Sequence, residues 1–238
     1  MKNGAYMGSG QGPFGRAELY WIEALRIASA TWLELALYLA FYVAYYVALN
    51  FWGFLQGSLD LVWIVDLVLI YLLTVAMLRK GGLVAGELRG GFGRYFLISL
   101  VSALAILAGM LMLIVPGVML MIRWLPALGF ALAEEHQGID ALGVSWDATS
   151  EDFWGLLVSL ILPIAMTFGP AGIYLYEAFG IESGESLFGR AVSSETAAWL
   201  YLGLDLTALI GNIIFMIFGI AAYSLLREDP DELTEVFS

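Results

Sequence analysis

Apolar runs of membrane-crossing length, with arginine and lysine gathered at alternate ends, constrain this chain more than any other feature. Lys2, Arg16, Arg26, Arg79, Lys80, Arg89, Arg94 and Arg227 all fall on what would be one side of a bilayer. Arg123 lies inside a run, and Arg190 alone is left for the other side. Basic side chains are retained on the cytoplasmic face during insertion, so the asymmetry places both termini inside. The composition agrees. Hydrophobic residues make up 61% of the chain, charged residues 13%, and the mean hydropathy is +0.85. A soluble domain carries about a quarter charged residues.

The expected architecture is all-α: a six-transmembrane-helix bundle with cytoplasmic interfacial helices and inside termini. A Gly-rich tail over 1–15 precedes a membrane domain over 16–227, and an acidic tail follows over 228–238. The tail has no apolar core of the kind a cleavable signal needs, so the N-terminus is expected to be retained. Within 16–30, Leu19, Ile22 and Leu25 recur at helical spacing, predicting an amphipathic helix along the cytoplasmic interface. The spans follow at 31–54, 59–78, 95–115, 118–133, 153–169 and 197–226. Most approach the ~20 residues that a hydrocarbon core requires; the last, at ~45 Å as a helix, must tilt or project.

The punctuation supports these boundaries. Gln56-Gly57-Ser58 reads as a turn, Gly81–Gly93 as a flexible basic connector, and Pro116-Gly117 as a tight turn at the outer face. Ile139, Leu142 and Trp146 predict a second interfacial helix, with Thr149 or Ser150 capping the next span. Pro163 and Pro170-Ala171-Gly172 should kink or break the fifth span, leaving Ile173–Phe179 as a short outer turn and 180–196 as the outside loop.

Charge and chemistry exclude several function classes. The formal net charge of −12 resides largely in loops and in Glu228–Glu232, and an acidic surface sets nucleic acid aside as a partner. Cysteine is absent, which removes disulfides, thiol catalysis and cysteine-ligated metals. The single histidine, His136, follows Glu134-Glu135 and reads as a solvated loop residue. No nucleophile elbow or zinc-binding helix motif occurs, and no cofactor or metal is expected.

Ionisable groups at membrane depth are costly and mark candidate sites. Glu34, Asp60, Asp66, Arg123, Glu177, Asp205 and Asn212 fall in the spans. Counting residues from the outer boundary puts Asp66, Arg123 and Asp205 at one level. They predict a buried polar cluster of Arg123 with Asp66 and Asp205, with Asn212 nearby. It could serve as a structural pairing or as a path for substrate or protons. Gly203, Gly211 and Gly219 recur every eight residues, which rotates them by about 80° per step and predicts close packing at separate places.

From Phe92 to Trp154 the chain carries Pro116-Gly117, Arg123, Pro126, Glu134-Glu135, Gly138, Ala141-Leu142, Ser145-Trp146 and Phe153-Trp154-Gly155. In this quarter of its length it resembles the YciC-like group of bacterial inner-membrane proteins, and the membrane domain fused to some glycerophosphodiester phosphodiesterases. The resemblance implies a six-span membrane domain with no assigned reaction. In it, Arg123, Pro116 and Gly117 mark the membrane re-entry turn. The fused activity resides in a separate barrel of ~250 residues, for which this chain has no room.

These features favour a non-enzymatic protein of the bacterial inner membrane, a scaffold, accessory subunit or lipid- and envelope-organising factor. Its partners would be the bilayer and a larger membrane complex or a second copy. The alternative is a small permease or channel using the Arg/Asp cluster. An intramembrane enzyme acting on lipid headgroups is a third reading.

Overall fold

In the computed structural model, residues 12–52, 59–84, 86–134, 139–183 and 194–227 are described, and every element among them is an α-helix. The order is α1 Pro13–Ala30, α2 Trp32–Trp52, α3 Leu59–Lys80, α4 Phe92–Met112, α5 Ile114–Arg123, α6 Ala127–Ala133, α7 Asp140–Ala148, α8 Phe153–Ser183 and α9 Ser194–Leu226. Among the described residues five stretches are long and apolar enough to cross a membrane: Trp32–Phe51, Phe92–Met112, Ile114–Ala133, Phe153–Glu177 and Thr196–Leu226. The chain is thus an all-α protein of multi-pass membrane type. The expected turn at 56–58, Glu135, His136, Arg190 and the acidic tail lie outside the described residues, as does the side chain of Asp60.

The helices gather into two compact units. The first takes the described parts of Met1–Thr31, Tyr71–Leu160 and Met216–Ser238; the second takes those of Trp32–Ile70 and Ile161–Phe215. The helices α3, α8 and α9 give one segment to each.

In the first unit, α1 begins earlier than the amphipathic pattern predicts. Pro13 occupies its first turn, where a proline's missing N–H is no loss, after an extended Gly12. One face, Ala17, Tyr20, Glu23, Ala24 and Ile27, is buried. The opposite side exposes Phe14, Ile22 and Leu25. At its end the Thr31 hydroxyl donates to the Ile27 carbonyl at 2.8 Å, closing the last turn.

The glycine pair after α3 is a helix stop where a loose connector was expected. Gly82 adopts φ 72°, the left-handed region that glycine enters without a Cβ clash. Its N–H bonds to the Arg79 carbonyl at 3.1 Å, and the Leu83 N–H reaches the Leu78 carbonyl at 3.0 Å. That pair of bonds is a Schellman cap.

Pro116-Gly117 also plays a different part from the one expected. The reversal falls at Leu113, an extended residue between α4 and α5, whose N–H bonds back to the Gly109 carbonyl at 3.0 Å. Pro116 lies within the first turn of α5, where its N–H is not needed. Gly117 is where the two helices touch: a Cβ there would come within 2.7 Å of the Met110 backbone nitrogen, and one on Gly109 within 3.0 Å of the Gly117 nitrogen. The descending segment expected as one span is interrupted at Trp124–Pro126, and α6 begins after Pro126. Tyr223 of α9 packs its ring edge-on to Phe130 at 5.1 Å, over Gly129. Gly219 meets the Leu125 carbonyl, 3.0 Å from where its Cβ would be.

In the second unit α8 runs unbroken through Pro163 and Pro170 to Ser183, so neither the break nor the short outer turn forms. Proline removes one helical bond and crowds the preceding turn, a cost that a packed membrane helix tolerates. Both prolines are buried. On α9, Gly211 admits Thr167 of α8, whose backbone nitrogen would lie 2.7 Å from an added Cβ, while Gly203 faces open space. Two of the three spaced glycines therefore sit at close contacts, against different elements, as their rotation requires.

Replacing Gly117 by Val should separate α4 from α5 and destabilise the protein by about 1–3 kcal/mol, the usual range for an overpacked contact. Gly203→Ala should be neutral or slightly stabilising. Thermal unfolding in detergent, followed by circular dichroism, measures both.

Candidate functional site

Charge in the first unit is spent on backbone. The Arg16 Nη1 donates to the Glu151 carbonyl at 2.8 Å, that of Arg26 to Gly81 at 2.9 Å, and that of Arg94 to Ala131 at 3.2 Å. Arg123 reaches Trp146 at 3.2 Å and Arg227 reaches Leu83 at 2.9 Å. Most of these acceptors lie in the last turn of a helix or just past it. There carbonyls lack helical partners and the helix dipole is negative, so a guanidinium is favoured twice.

Two carboxylates complete this framework. Asp152, directly before α8, is buried and accepts from Arg16 Nη1 at 2.6 Å and from the Tyr20 hydroxyl. A side chain on Gly155 would collide with Arg16, 2.8 Å from its Cβ, so the glycine lets the arginine approach. Glu23 takes both nitrogens of Arg26, at 2.6 and 2.7 Å, and the Ser224 hydroxyl donates to it at 2.5 Å. Through these contacts α1 is pinned to α8 and α9; the edge-to-face pair of Trp21 and Phe218, 4.7 Å apart, reinforces the second attachment.

Arg123 is the last residue of α5. Its guanidinium lies 5.1 Å from the Trp146 ring centre and 5.3 Å from that of Phe153. Its carbonyl accepts from Ser145 at 2.7 Å and Thr149 at 3.3 Å. Its Nε is buried and has no hydrogen-bond partner among the described residues, so the two aromatic faces supply much of its stabilisation. Thr149, expected to cap α8, instead closes α7: its hydroxyl also bonds the Ser145 carbonyl at 2.8 Å.

Asp66 and Asp205 are satisfied in the second unit. The Tyr38 hydroxyl donates to Asp66 at 2.9 Å. Asp205 accepts from Tyr174 at 2.7 Å and from the Asn50 amide at 3.1 Å. Tyr38, Tyr42, Tyr46 and Asn50 follow one another every four residues, on one face of α2. Tyr42 stands with its ring centre 4.9 Å from Tyr38 and 5.9 Å from Tyr46. The Asn50 amide also bonds the Tyr46 carbonyl at 2.9 Å. A polar stripe thus runs along α2 with a carboxylate gripped near each end.

The expected cluster of Arg123 with Asp66 and Asp205 is therefore corrected. Arg123 takes its partners from α7 and α8 of the first unit, and the aspartates theirs from α2 and α8 of the second. The depth count started the descending span at Val118, whereas the reversal falls at Leu113 and α5 begins at Ile114. The two aspartates also do not share a level: Tyr38 and Asn50, which grip them, are separated by twelve positions, about 18 Å of helix rise. Asn212 is exposed and does not join them. The sequence carried a signal for this arrangement, since the four-residue period of Tyr38, Tyr42, Tyr46 and Asn50 is legible. For Asp152 the signal was only its place before an aromatic helix start. Among the described residues no group of three histidine or carboxylate side chains converges to hold a metal.

The chain matches no protein-family model, no curated protein and no solved structure.

Burial, and then the Asp152 carboxylate, push the Tyr20 hydroxyl well above its ordinary value of 10.0. In the unfolded chain it ionises near that ordinary value. Its contribution is therefore complete below about pH 10 and is lost as pH rises through the folded value. Tyr20→Phe should cost about 2 kcal/mol at neutral pH, the worth of a hydrogen bond to a charged group, and should flatten the alkaline decline. Denaturation series at about pH 8 and about pH 11 test both effects.

Proposed function

We propose that this chain is a non-enzymatic multi-pass protein of the bacterial inner membrane, a scaffold, accessory subunit or lipid- and envelope-organising factor of the YciC-like kind. Six helices enter the membrane and both termini stay in the cytoplasm. The sixth apolar helix is α3, whose 22 residues end in Arg79-Lys80. The basic asymmetry of the sequence supports the orientation.

One observation carries this reading: the charged groups are used as fasteners. Arg16, Arg26, Arg123 and Arg227 each bind a carbonyl of another segment, while Asp152 and Glu23 join helices far apart in sequence. A reaction or transport cycle needs polar groups whose partners change. Exposed apolar side chains on α1 and on α2, among them Leu25, Leu37 and Phe41, suit lipid or another membrane subunit. The partners are the bilayer and, on that surface, a larger complex or a second copy of the chain. Nucleic acid is not among them.

A second reading, a small permease or channel, is favoured by the stripe on α2. Tyrosine hydroxyls ordered between two carboxylates are the polar lining a proton or small cation would follow.

Purification from native membranes separates the two. A co-purifying subunit or lipid that is lost from Leu37→Ala/Phe41→Ala protein, at unchanged yield, supports the scaffold. A lipid-free, monodisperse monomer sinks it. Flux in proteoliposomes that disappears in the Asp66→Asn/Asp205→Asn variant transfers the assignment to the permease.

A further inference from the structure

The outer end of the α4–α5 hairpin is apolar and exposed. Leu111, Met112, Leu113, Ile114 and Val115 are 69–83% exposed. From Ala103 to Ile122 every residue is apolar, a proline or a glycine. We infer that this hairpin is re-entrant: it enters and leaves the membrane through the same face, and its turn lies among the acyl chains of one leaflet. The inference rests on the membrane reading above and replaces two of its crossings by one loop of half depth.

The level of the base is the first argument. Arg123 ends α5 between the rings of Trp146 and Phe153, and its carbonyl is bound by Ser145 and Thr149. These belong to α7 and the turn after it, whose outer side exposes Asp140, Asp147, Ser150 and Glu151. Four exposed polar residues, three of them carboxylates, place that surface in water. Trp124, Trp146, Phe153 and the exposed Trp154 gather beside it, in the arrangement of an interfacial aromatic belt. Arg123 therefore marks the headgroup level.

Length is the second. The ten residues of α5 rise about 15 Å, against a hydrocarbon thickness of about 30 Å. The other arm gives the same height. Contact of Gly117 with Gly109 and Met110 sets the register of the two arms. Counted down from there, Arg123 stands opposite the neighbourhood of Leu104, leaving about 13 Å of α4 above it. Apolar helices of about 10–14 residues are too short to cross and occur as core, re-entrant or interfacial segments.

The turn itself is the third. A hairpin that crossed would meet the far headgroups with Leu111–Val115, a stretch without serine, asparagine, tryptophan, tyrosine or charge. Inside hydrocarbon those side chains need no partner. The backbone cost is held low because the reversal takes one residue, Leu113, whose N–H is bonded to Gly109. Pro116 removes a further donor, and the negative end of α4 adjoins the positive end of α5. Above the level of Arg123 the outward side of α4 exposes Leu104, Leu107 and Leu111, so the apolar surface runs up to the tip.

The absence of native cysteine allows a direct test in the full chain. Leu113→Cys, Ser150→Cys and Thr196→Cys variants are inserted in vesicles of defined sidedness and treated with a membrane-impermeant maleimide. The expected result is that Ser150→Cys reacts from one face and Leu113→Cys from neither. A permeant fluorophore on Leu113→Cys should then be quenched most by lipids brominated near mid-chain. Reaction of Leu113→Cys from the face opposite Ser150→Cys shows a full crossing and overturns the proposal. Reaction from the same face shows an uninserted hairpin and overturns it equally. Labelling of Ser150→Cys and Thr196→Cys from one common face would instead overturn the multi-pass topology, independently of where the tip lies.

Discussion

A helix that stops leaves its last carbonyls without partners, and in or near a membrane there is little water to take them. This chain stops its helices often, at Lys80, Met112, Arg123, Ala133 and Ala148 within the first unit alone. Its main answer is arginine. Guanidinium groups from α1, α4, α5 and the end of α9 reach the closing turns of α3, α6 and α7 and the turn before α8. Each contact satisfies an orphaned acceptor, neutralises a helix-end dipole and ties two segments. Basic residues beside the apolar runs thus hold the first unit together.

The second unit answers a different problem. Asp66 and Asp205 sit in helices surrounded by apolar residues, where an unpaired carboxylate would be costly. No arginine supplies the compensation. Tyrosine and asparagine do, through Tyr38, Tyr174 and Asn50. Tyr174 also donates to the Tyr201 carbonyl at 3.2 Å and stacks on that ring, so the group holding Asp205 is itself held. Aromatic residues give both bulk for packing and a hydroxyl for the acid, which explains why α2 carries so many of them.

Much of this organisation was legible in the residues. Hydropathy marks the long helices because only runs of apolar residues fill a hydrocarbon layer, and the helices α1 and α7 follow from apolar spacing. The misreadings share one cause. Pro116-Gly117, Pro163 and Pro170 read locally as turns or breaks, yet Pro163 and Pro170 lie inside a continuous α8, while Pro116-Gly117 stands within α5. Whether a proline ends a helix depends on whether its turn needs that N–H and on what packs around it, neither of which is local information. The Arg123 pairing rested on the same reading: the count began after Pro116-Gly117, whereas the chain reverses at Leu113. Glycine contacts such as Gly117 with Met110 were equally hidden, since their significance comes from the partner helix.

The attachment of α1 bears on how the protein is built. This helix is the first described element to be synthesised, yet its partners come late: Asp152 lies 136 residues further on, and Ser224 201 residues further on. Until the ribosome has delivered the end of α9, Glu23 lacks the Ser224 hydroxyl and Trp21 the Phe218 ring. The opposite side of α1, with Phe14, Ile22 and Leu25, is exposed and takes no part in either attachment. A chain truncated before α9 keeps the attachment of Arg16 and Tyr20 to Asp152 and loses the one through Ser224 and Phe218.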